Sequence, residues 1–559
     1  MAIQFPLGID NFHKLRQNEN YYIDKTRLIK ELLSQAFEVN LITRPRRFGK
    51  TLNMSMLEDF FDIARDSRKD FEGLAIEKEK SLCAKWRNQW PVVFVTLKSV
   101  QGMTFQAAYE QWKVILSNFC VEHRFLGESE KVDPVDRKIF QRFLEKNGSE
   151  EETQNGFFYL TRMMCSHYGK QVILIIDEYD VPLAKASDNG FYQEMLGTIR
   201  TLFNMSLKTN PYLKFAVITG CLKIAKESIF TGTNHFVEDT ISTNRFEEYF
   251  GFTDSDVDKI LSDTELLDHK EEMRRWYDGY QFGSVDVYCP WDVLNHVSAL
   301  MLREDSEPKS YWENTSDNSI IRNFIERKDL WEEEQINEDF ETLLDGGYIV
   351  KNITENLTYD TLHSSADHLW SLLYLTGYLT KTQTEMENQT AVALRIPNEE
   401  IRRLFQTTVK GWFLDQVKSS DRKELFDALW KMEEKRCSEL LSDMLFDTIS
   451  FHDYKEDFYH AFVTGVLSFS GYKVMSNKEE GEGRPDLVLR DKRRGRAVVI
   501  EMKRTRNFED MDKKCQEALD QIEKKRYVEG IETEYEEVLG FGFSFYNKRC
   551  KVKAKRFRG

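Results

Sequence analysis

FEVNLITRPRRFGKTLNMSMLEDFFDIA, residues 37–64, is the stretch on which the fold turns. Phe37 to Thr43 reads as a short buried strand, RPRRFGKT as a tight turn, and the apolar spacing of NMSMLEDFFDIA as a helix. A phosphate-binding loop sits at such a junction. It needs backbone N–H groups turned inward, a lysine that reaches the outer phosphates, and a hydroxyl for magnesium. Gly49, Lys50 and Thr51 supply that end of the pattern, while Arg44 stands where the first glycine usually does. The proline and arginines of the loop can fix its shape in place of that glycine and add positive charge, and the triplet taken alone is also compatible with a surface turn.

The surrounding chain supports the first reading. WPVVFVTL (Trp90–Leu97), QVILIIDEYD (Gln171–Asp180) and KFAVITG (Lys214–Gly220) are further strand candidates, and helical patterns such as Thr104–Glu122 and Gly190–Ser206 lie between them. Alternating strands and helices predict a parallel α/β sheet. The five-residue apolar run VILII, ending in acids, reads as its central strand. In that position Asp177 is the natural carboxylate for a magnesium ion and Glu178 the residue that polarises the attacking water. Thr219, at the end of AVITG, is placed to sense the outer phosphate. Arg44, Arg46, Arg47 and Lys223 are candidate phosphate or subunit contacts, against the simpler reading of solvated side chains.

Composition narrows the class of protein. The 559 residues leave room for about three domains. With 78 basic and 94 acidic residues the formal charge is −16, which argues against a histone-like protein but leaves room for a local basic cleft. The N-terminal twenty residues are too polar for a signal peptide and no apolar run spans a bilayer, so a cytoplasmic protein without a membrane partner is expected. Eight scattered cysteines without a close CxxC pair argue against a zinc ribbon.

TRPRRFGKT, LIIDEYDVPL, VITGCLKIAKESIF, WYDGYQFG and YYIDKT resemble the bacterial family of AAA-ATPase-like proteins, over residues 5 to about 300. The resemblance implies an ASCE-type P-loop ATPase fold and a modified Walker A loop in which Arg44, Pro45, Arg46, Arg47, Phe48, Gly49, Lys50 and Thr51 surround ATP. The missing first glycine is then a family trait. Members often carry a C-terminal nuclease-like domain, and AAA-related domains often self-associate.

A second constellation lies near the C-terminus. GRPDLVLR places Asp486 at the start of a strand, and VVIEMK places Glu501 and Lys503 on the next, on one face, with Met502 turned away. DKRRGR between them suits a hairpin turn. Glu456 lies on an upstream helix with His460 one turn later, and Gln521 on a downstream helix before Tyr527. Carboxylates that hold one or two divalent ions beside a cation are what metal-dependent phosphodiester hydrolysis requires. Glu and Lys on a strand edge are also an ordinary guard against aggregation.

Residues 451 to 550 resemble the PD-(D/E)XK nuclease superfamily, with Pro485–Asp486 as the PD and Glu501–Met502–Lys503 as the EXK. The resemblance implies Asp486 and Glu501 as ligands of Mg2+ or Mn2+, Glu456 as an auxiliary ligand, Lys503 as the water-positioning group, and Gln521 as a residue that orients water or backbone. Basic segments DKRRGR, KRTR, KKRY and KRCKVKAKRFRG either contact nucleic acid, expected to be DNA, or form a soluble tail. The last of them also alternates like a strand.

The expected organisation is an AAA-like P-loop domain over residues 1–250, a helical lid with a winged-helix-like module over 251–450, and a nuclease-like α/β domain over 451–559. Two functions suit it: a nucleotide-controlled nuclease, and a nucleotide-switched binding protein whose nuclease-like domain does not cut.

Overall fold

The computed structural model describes residues 3–35, 37–208, 210–223, 236–312, 333–357, 365–382, 391–408, 422–446, 456–467, 472–476 and 485–559. The chain divides into two compact units, Met1–Asp317 with Tyr348–Leu404, and Asn318–Gly347 with Phe405–Gly559.

The first unit is built on a five-stranded sheet of β1 (Val39–Thr43), β2 (Val92–Thr96), β3 (Val172–Asp177), β4 (Leu213–Gly220) and β5 (Phe236–Asp239), in the order β2-β3-β4-β1-β5. Every pairing is parallel. All residues of β1 and β3 are buried, as expected for strands covered on both faces. Helices α1 (Phe105–Glu122), α2 (Gly156–Tyr168) and α3 (Tyr192–Leu207) pack Trp112, Leu160 and Phe203 into one cluster with Leu41, Leu174 and Ile176. Thr104 caps the first of them, its hydroxyl accepting from the Ala107 N–H. The fifth strand escaped the sequence reading because its residues, FVED, are half polar and it lies at the sheet edge, where one side of the ladder needs no apolar cover.

Helices Asp254–Asp263, Lys270–Tyr277 and Pro290–Leu302 follow, with a second core of Val257, Ile260, Trp276, Tyr277, Val293 and Val297. WYDGYQFG ends the second of these helices and opens a hairpin of β6 (Tyr280–Phe282) and β7 (Val285–Val287). Strands β8 (Ile349–Asn352), β9 (Thr380–Lys381) and β10 (Ala391–Arg395) make a small antiparallel sheet, and helix Ala366–Leu375 lies between β8 and β9 in the chain.

The second unit holds a sheet of β11 (Lys473–Ser476), β12 (Leu487–Asp491), β13 (Arg496–Arg504), β14 (Glu537–Tyr546) and β15 (Arg549–Arg558), in that spatial order. Only β13 and β14 run parallel. Period-two alternation divides β13: Val498, Ile500 and Met502 enter a core with helices Lys423–Trp430, Glu434–Phe446 and Glu456–Leu467, while Ala497 and Val499 meet Leu519 and Ile522 of helix Met511–Lys524. The basic tail is β15, so its alternation reports a strand. Its outer edge is capped by one helix face: the N–H groups of Ala554, Val552 and Cys550 donate to Glu434, Ser438 and Ser442 at 2.8, 3.0 and 3.0 Å. A spacing of four residues on the helix matches two on the strand, and the edge is closed to other chains.

Together these features make a mixed α/β architecture: an N-terminal domain on a parallel sheet, a largely helical middle region and a C-terminal domain on a mixed sheet. The segment Ile224–Phe230 and the centre of the β11–β12 connection lie outside the described residues.

Candidate nucleotide and nuclease sites

Parallel strands release their loops at one sheet edge, which is where the polar residues of β1, β3 and β4 gather. Gly49 has φ +76°, a left-handed conformation that glycine adopts without strain, and caps the helix Lys50–Phe61. No atom lies within 4 Å of where a Cβ would stand there, so backbone conformation, and not space, selects glycine. The Lys50 amine folds back onto the carbonyls of Arg44 and Pro45 at 3.0 and 2.8 Å and lies 3.5 Å from the Cys221 sulfur. Thr51 donates to Asp177 Oδ2 at 2.8 Å, and Thr219 donates to Asp177 Oδ1. Three separate sequence segments thus converge on one carboxylate. Glu178 follows with φ +54°, and burial, then the charge of Asp177, raises its carboxyl above the ordinary value.

The loop arginines divide differently from their sequence pattern. Arg44 is fully buried, and its guanidinium donates to the carbonyls of Thr43, Asp239 and Arg245 at 2.8, 2.8 and 3.1 Å. Its own N–H donates to Gly220, and burial pushes its pKa down to about 10. This side chain ties the loop to the backbone of β1, β5 and the segment that follows β5. Arg47 lies over the Trp291 ring at 4.7 Å and donates to the Tyr311 carbonyl at 3.3 Å. Phe48 is buried between Tyr280 and Phe282, each 5.0 Å away. Pro45 lies against Gly377, Arg46 reaches Cys221, and Lys223 pairs with Glu238. Cys221 was missed by sequence reasoning. It is 171 residues from Lys50, and a lone cysteine after a strand carries no local signal.

In the second unit Asp486 stands just before β12, and its Oδ2 accepts the Met502 N–H at 2.7 Å. The ring nitrogen Nε2 of His460 donates to the Asp486 carbonyl at 3.0 Å, which fixes the start of the strand. Glu501 is buried, and its Oε1 accepts from Lys503 at 3.2 Å and from Gln521. Gln521 also lies 3.4 Å from the Tyr527 hydroxyl. Asp486, Glu501, Lys503 and Gln521 therefore meet on the side of β13 away from Met502. Glu456 begins its helix, but its side chain lies outside the described residues.

Burial, reinforced by the charge of Asp486, raises the Glu501 carboxyl to about 7, and burial raises Asp486 as well. Among the described residues no group of three or more His, Cys, Asp or Glu converges on a point. The Oε2 atom of Glu501, however, is buried without a hydrogen-bond partner. A buried carboxylate oxygen without a donor, beside a second carboxylate, suits a divalent cation, so these residues fit the implied metal.

The AAA-ATPase-like family, described as a predicted AAA-ATPase, matches residues 6–230. The PD-(D/E)XK nuclease superfamily matches residues 454–555. A protein of Azotobacter chroococcum mcd 1, described as "Uncharacterized protein in vnfD 5'region", is 24% identical over 431 residues, which is 76% of this chain and 74% of that protein. That span is longer than either matched domain, so the likeness is not confined to one of them. No helix among the described residues is long and apolar enough to cross a membrane. The chain therefore carries an N-terminal AAA-ATPase-like domain and a C-terminal domain of the PD-(D/E)XK nuclease superfamily.

Proposed function

We propose that this chain binds and hydrolyses ATP and that its nucleotide state controls a metal-dependent nuclease centre acting on DNA in the cytoplasm. In the first domain Lys50 exchanges its loop carbonyls for phosphate oxygens, and Thr51 and Asp177 hold Mg2+. Glu178 orients water toward the outer phosphate, and Thr219 reports the state of that phosphate to Asp177. Arg46 and the backbone of residues 45–49 complete the anion cradle, with Arg44, Arg47 and Phe48 fixing its shape. Functionally, residues 1–250 form the nucleotide part and 251–450 a lid and winged-helix-like module, leaving 451–559 as the nuclease part. Self-association through the ATPase domain accompanies nucleotide binding.

In the C-terminal domain Asp486 and Glu501, with Glu456 as auxiliary ligand, hold Mg2+ or Mn2+. Bound there, the ion polarises a phosphodiester oxygen and lowers the pKa of a water. Lys503 positions that water and offsets charge on the phosphate, and Gln521 keeps Glu501 in its ligating rotamer. The basic segments around DKRRGR and KRTR draw the phosphate backbone in, so binding weakens with salt. The observation that carries the reading is the buried, partnerless Oε2 of Glu501.

The test is nicking of supercoiled plasmid at low salt with Mg2+ or Mn2+, wild type beside Asp486→Ala. Cleavage lost in the variant supports the nuclease centre. Intact DNA with wild type under every metal and nucleotide condition refutes it. That outcome would favour a nucleotide-switched binding protein, a second reading suited by the occupation of Glu501 Oε1 by both Lys503 and Gln521.

A further inference from the structure

IIDEYD carries three acids, and only Asp177 and Glu178 have a part in the nucleotide chemistry proposed above. The third, Asp180, is 4% exposed. It stands at the N-terminus of helix Val181–Asp188 but makes no capping bond there. Its Oδ2 instead accepts two backbone N–H groups from the exit of β4, Cys221 at 2.9 Å and Leu222 at 3.0 Å. Neighbouring Tyr179 adds two more links to the same exit: its N–H donates to the Thr219 carbonyl at 3.0 Å and its hydroxyl to the Leu222 carbonyl at 2.8 Å. The other carboxylate oxygen lies against Gly220, where an added Cβ would stand only 2.6 Å from it.

These contacts have one geometric consequence. With Cys221 and Leu222 held to Asp180, the Cys221 sulfur lies 3.5 Å from the Lys50 amine. Arg46 reaches the same thiol. The exit of β4 thereby forms one wall around the lysine and arginine of the phosphate loop. Oδ2 thus has two donors and holds this wall, while Oδ1, beside Gly220, is buried without a hydrogen-bond partner.

We propose that Asp180 is a positioning residue of the phosphate site, which clamps Cys221 and Leu222 so that Cys221 braces Lys50 and Arg46 in the loop. The proposal rests on the reading of residues 44–51 as a nucleotide site. It gives Oδ2 of the last acid of IIDEYD a positioning role.

The test compares full-length wild type, Asp180→Ala and Asp180→Asn in two assays. The first is alkylation of Cys221 by iodoacetamide without nucleotide, followed by peptide mass spectrometry. The second is ATP affinity by calorimetry. Loss of two charge-assisted bonds in Asp180→Ala should speed alkylation about fivefold or more and weaken ATP binding about tenfold. Asparagine keeps an oxygen that accepts both N–H groups, so Asp180→Asn should lie within about threefold of wild type in both assays.

Wild-type alkylation and ATP affinity in Asp180→Ala would overturn the clamp. So would equal loss of ATP binding in both variants with alkylation unchanged, which would place the carboxylate itself on the cation. If wild type does not bind ATP, the nucleotide reading fails, and the alkylation rates still decide whether Asp180 holds Cys221. Should Asp180→Ala not fold, Asp180→Ser, whose shorter side chain also loses the reach to both N–H groups, takes its place, and wild-type alkylation and ATP affinity in that variant refute the clamp.

Discussion

The hydroxyl of Thr51 donates to Asp177 Oδ2 across 2.8 Å, joining residues 126 positions apart. Thr219 donates to the other oxygen of the same carboxylate. The loop, the acidic strand end and the neighbouring strand end are thus gathered around one carboxyl group.

Lys50→Ala should weaken ATP binding by more than about tenfold, since the amine is a cation folded into the loop and a charged hydrogen bond is worth about 1.5–3 kcal/mol. Thr51→Ala should abolish the gain in ATP affinity that Mg2+ gives, and Thr51→Ser, which keeps the hydroxyl, should restore it. Calorimetry with and without Mg2+ measures both.

Gly49→Ala adds no clash, because nothing lies near the Cβ position, but it forces a left-handed φ of +76° on alanine. The expected loss is about 1–2 kcal/mol of stability, with weaker ATP binding as the loop relaxes. Urea denaturation and nucleotide titration together check this. An unchanged midpoint would mean that the loop adopts another backbone path at no cost.

Glu501 makes stability and metal affinity respond to pH in opposite senses. Its carboxyl lies at about 7 against an ordinary 4.5, so the folded chain holds this proton more tightly than the unfolded chain. The resulting stabilisation is complete below the ordinary value of 4.5 and is lost as pH rises through about 7. Metal binding requires the ionised form and should strengthen over the same rise. Without metal, the thermal midpoint of wild type should fall between about pH 5 and about pH 8 relative to Glu501→Gln, and Mn2+ affinity should climb. Parallel midpoints for the two proteins would refute the shift.

Ser438→Ala with Ser442→Ala removes the acceptors that cap the Val552 and Cys550 N–H groups. Two lost bonds of this kind should cost about 1–3 kcal/mol by chemical denaturation. The uncovered edge of β15 should also promote self-association, measured by sedimentation. A monomeric double variant of unchanged stability would show that water replaces both hydroxyls.

Local chemistry made much of this molecule legible. The apolar runs around Val39, Val92 and Ile173 announced parallel strands, because a strand buried on both faces must be apolar throughout. Gly49-Lys50-Thr51 and Asp177 announced a loop and a strand end that meet in the Thr51–Asp177 hydrogen bond, and the period of two in VVIEMK set Glu501 and Lys503 together opposite Met502. Edge strand β5 was silent, because a half-solvated strand needs no apolar run. The β15 tail was ambiguous, because alternating charge suits both a strand and a solvated tail.

What the sequence determined by itself was which residue types stand at which strand ends, since backbone periodicity and burial act over a few residues. Only tertiary structure decided that Arg44 ties the loop to the backbone of β1 and β5, that Cys221 lies beside Lys50, and that Gln521 meets Glu501. It also decided that a helix beginning near Glu434 caps the edge of β15. Each of these depends on which distant segment occupies the space a side chain enters, and no local spacing carries that information.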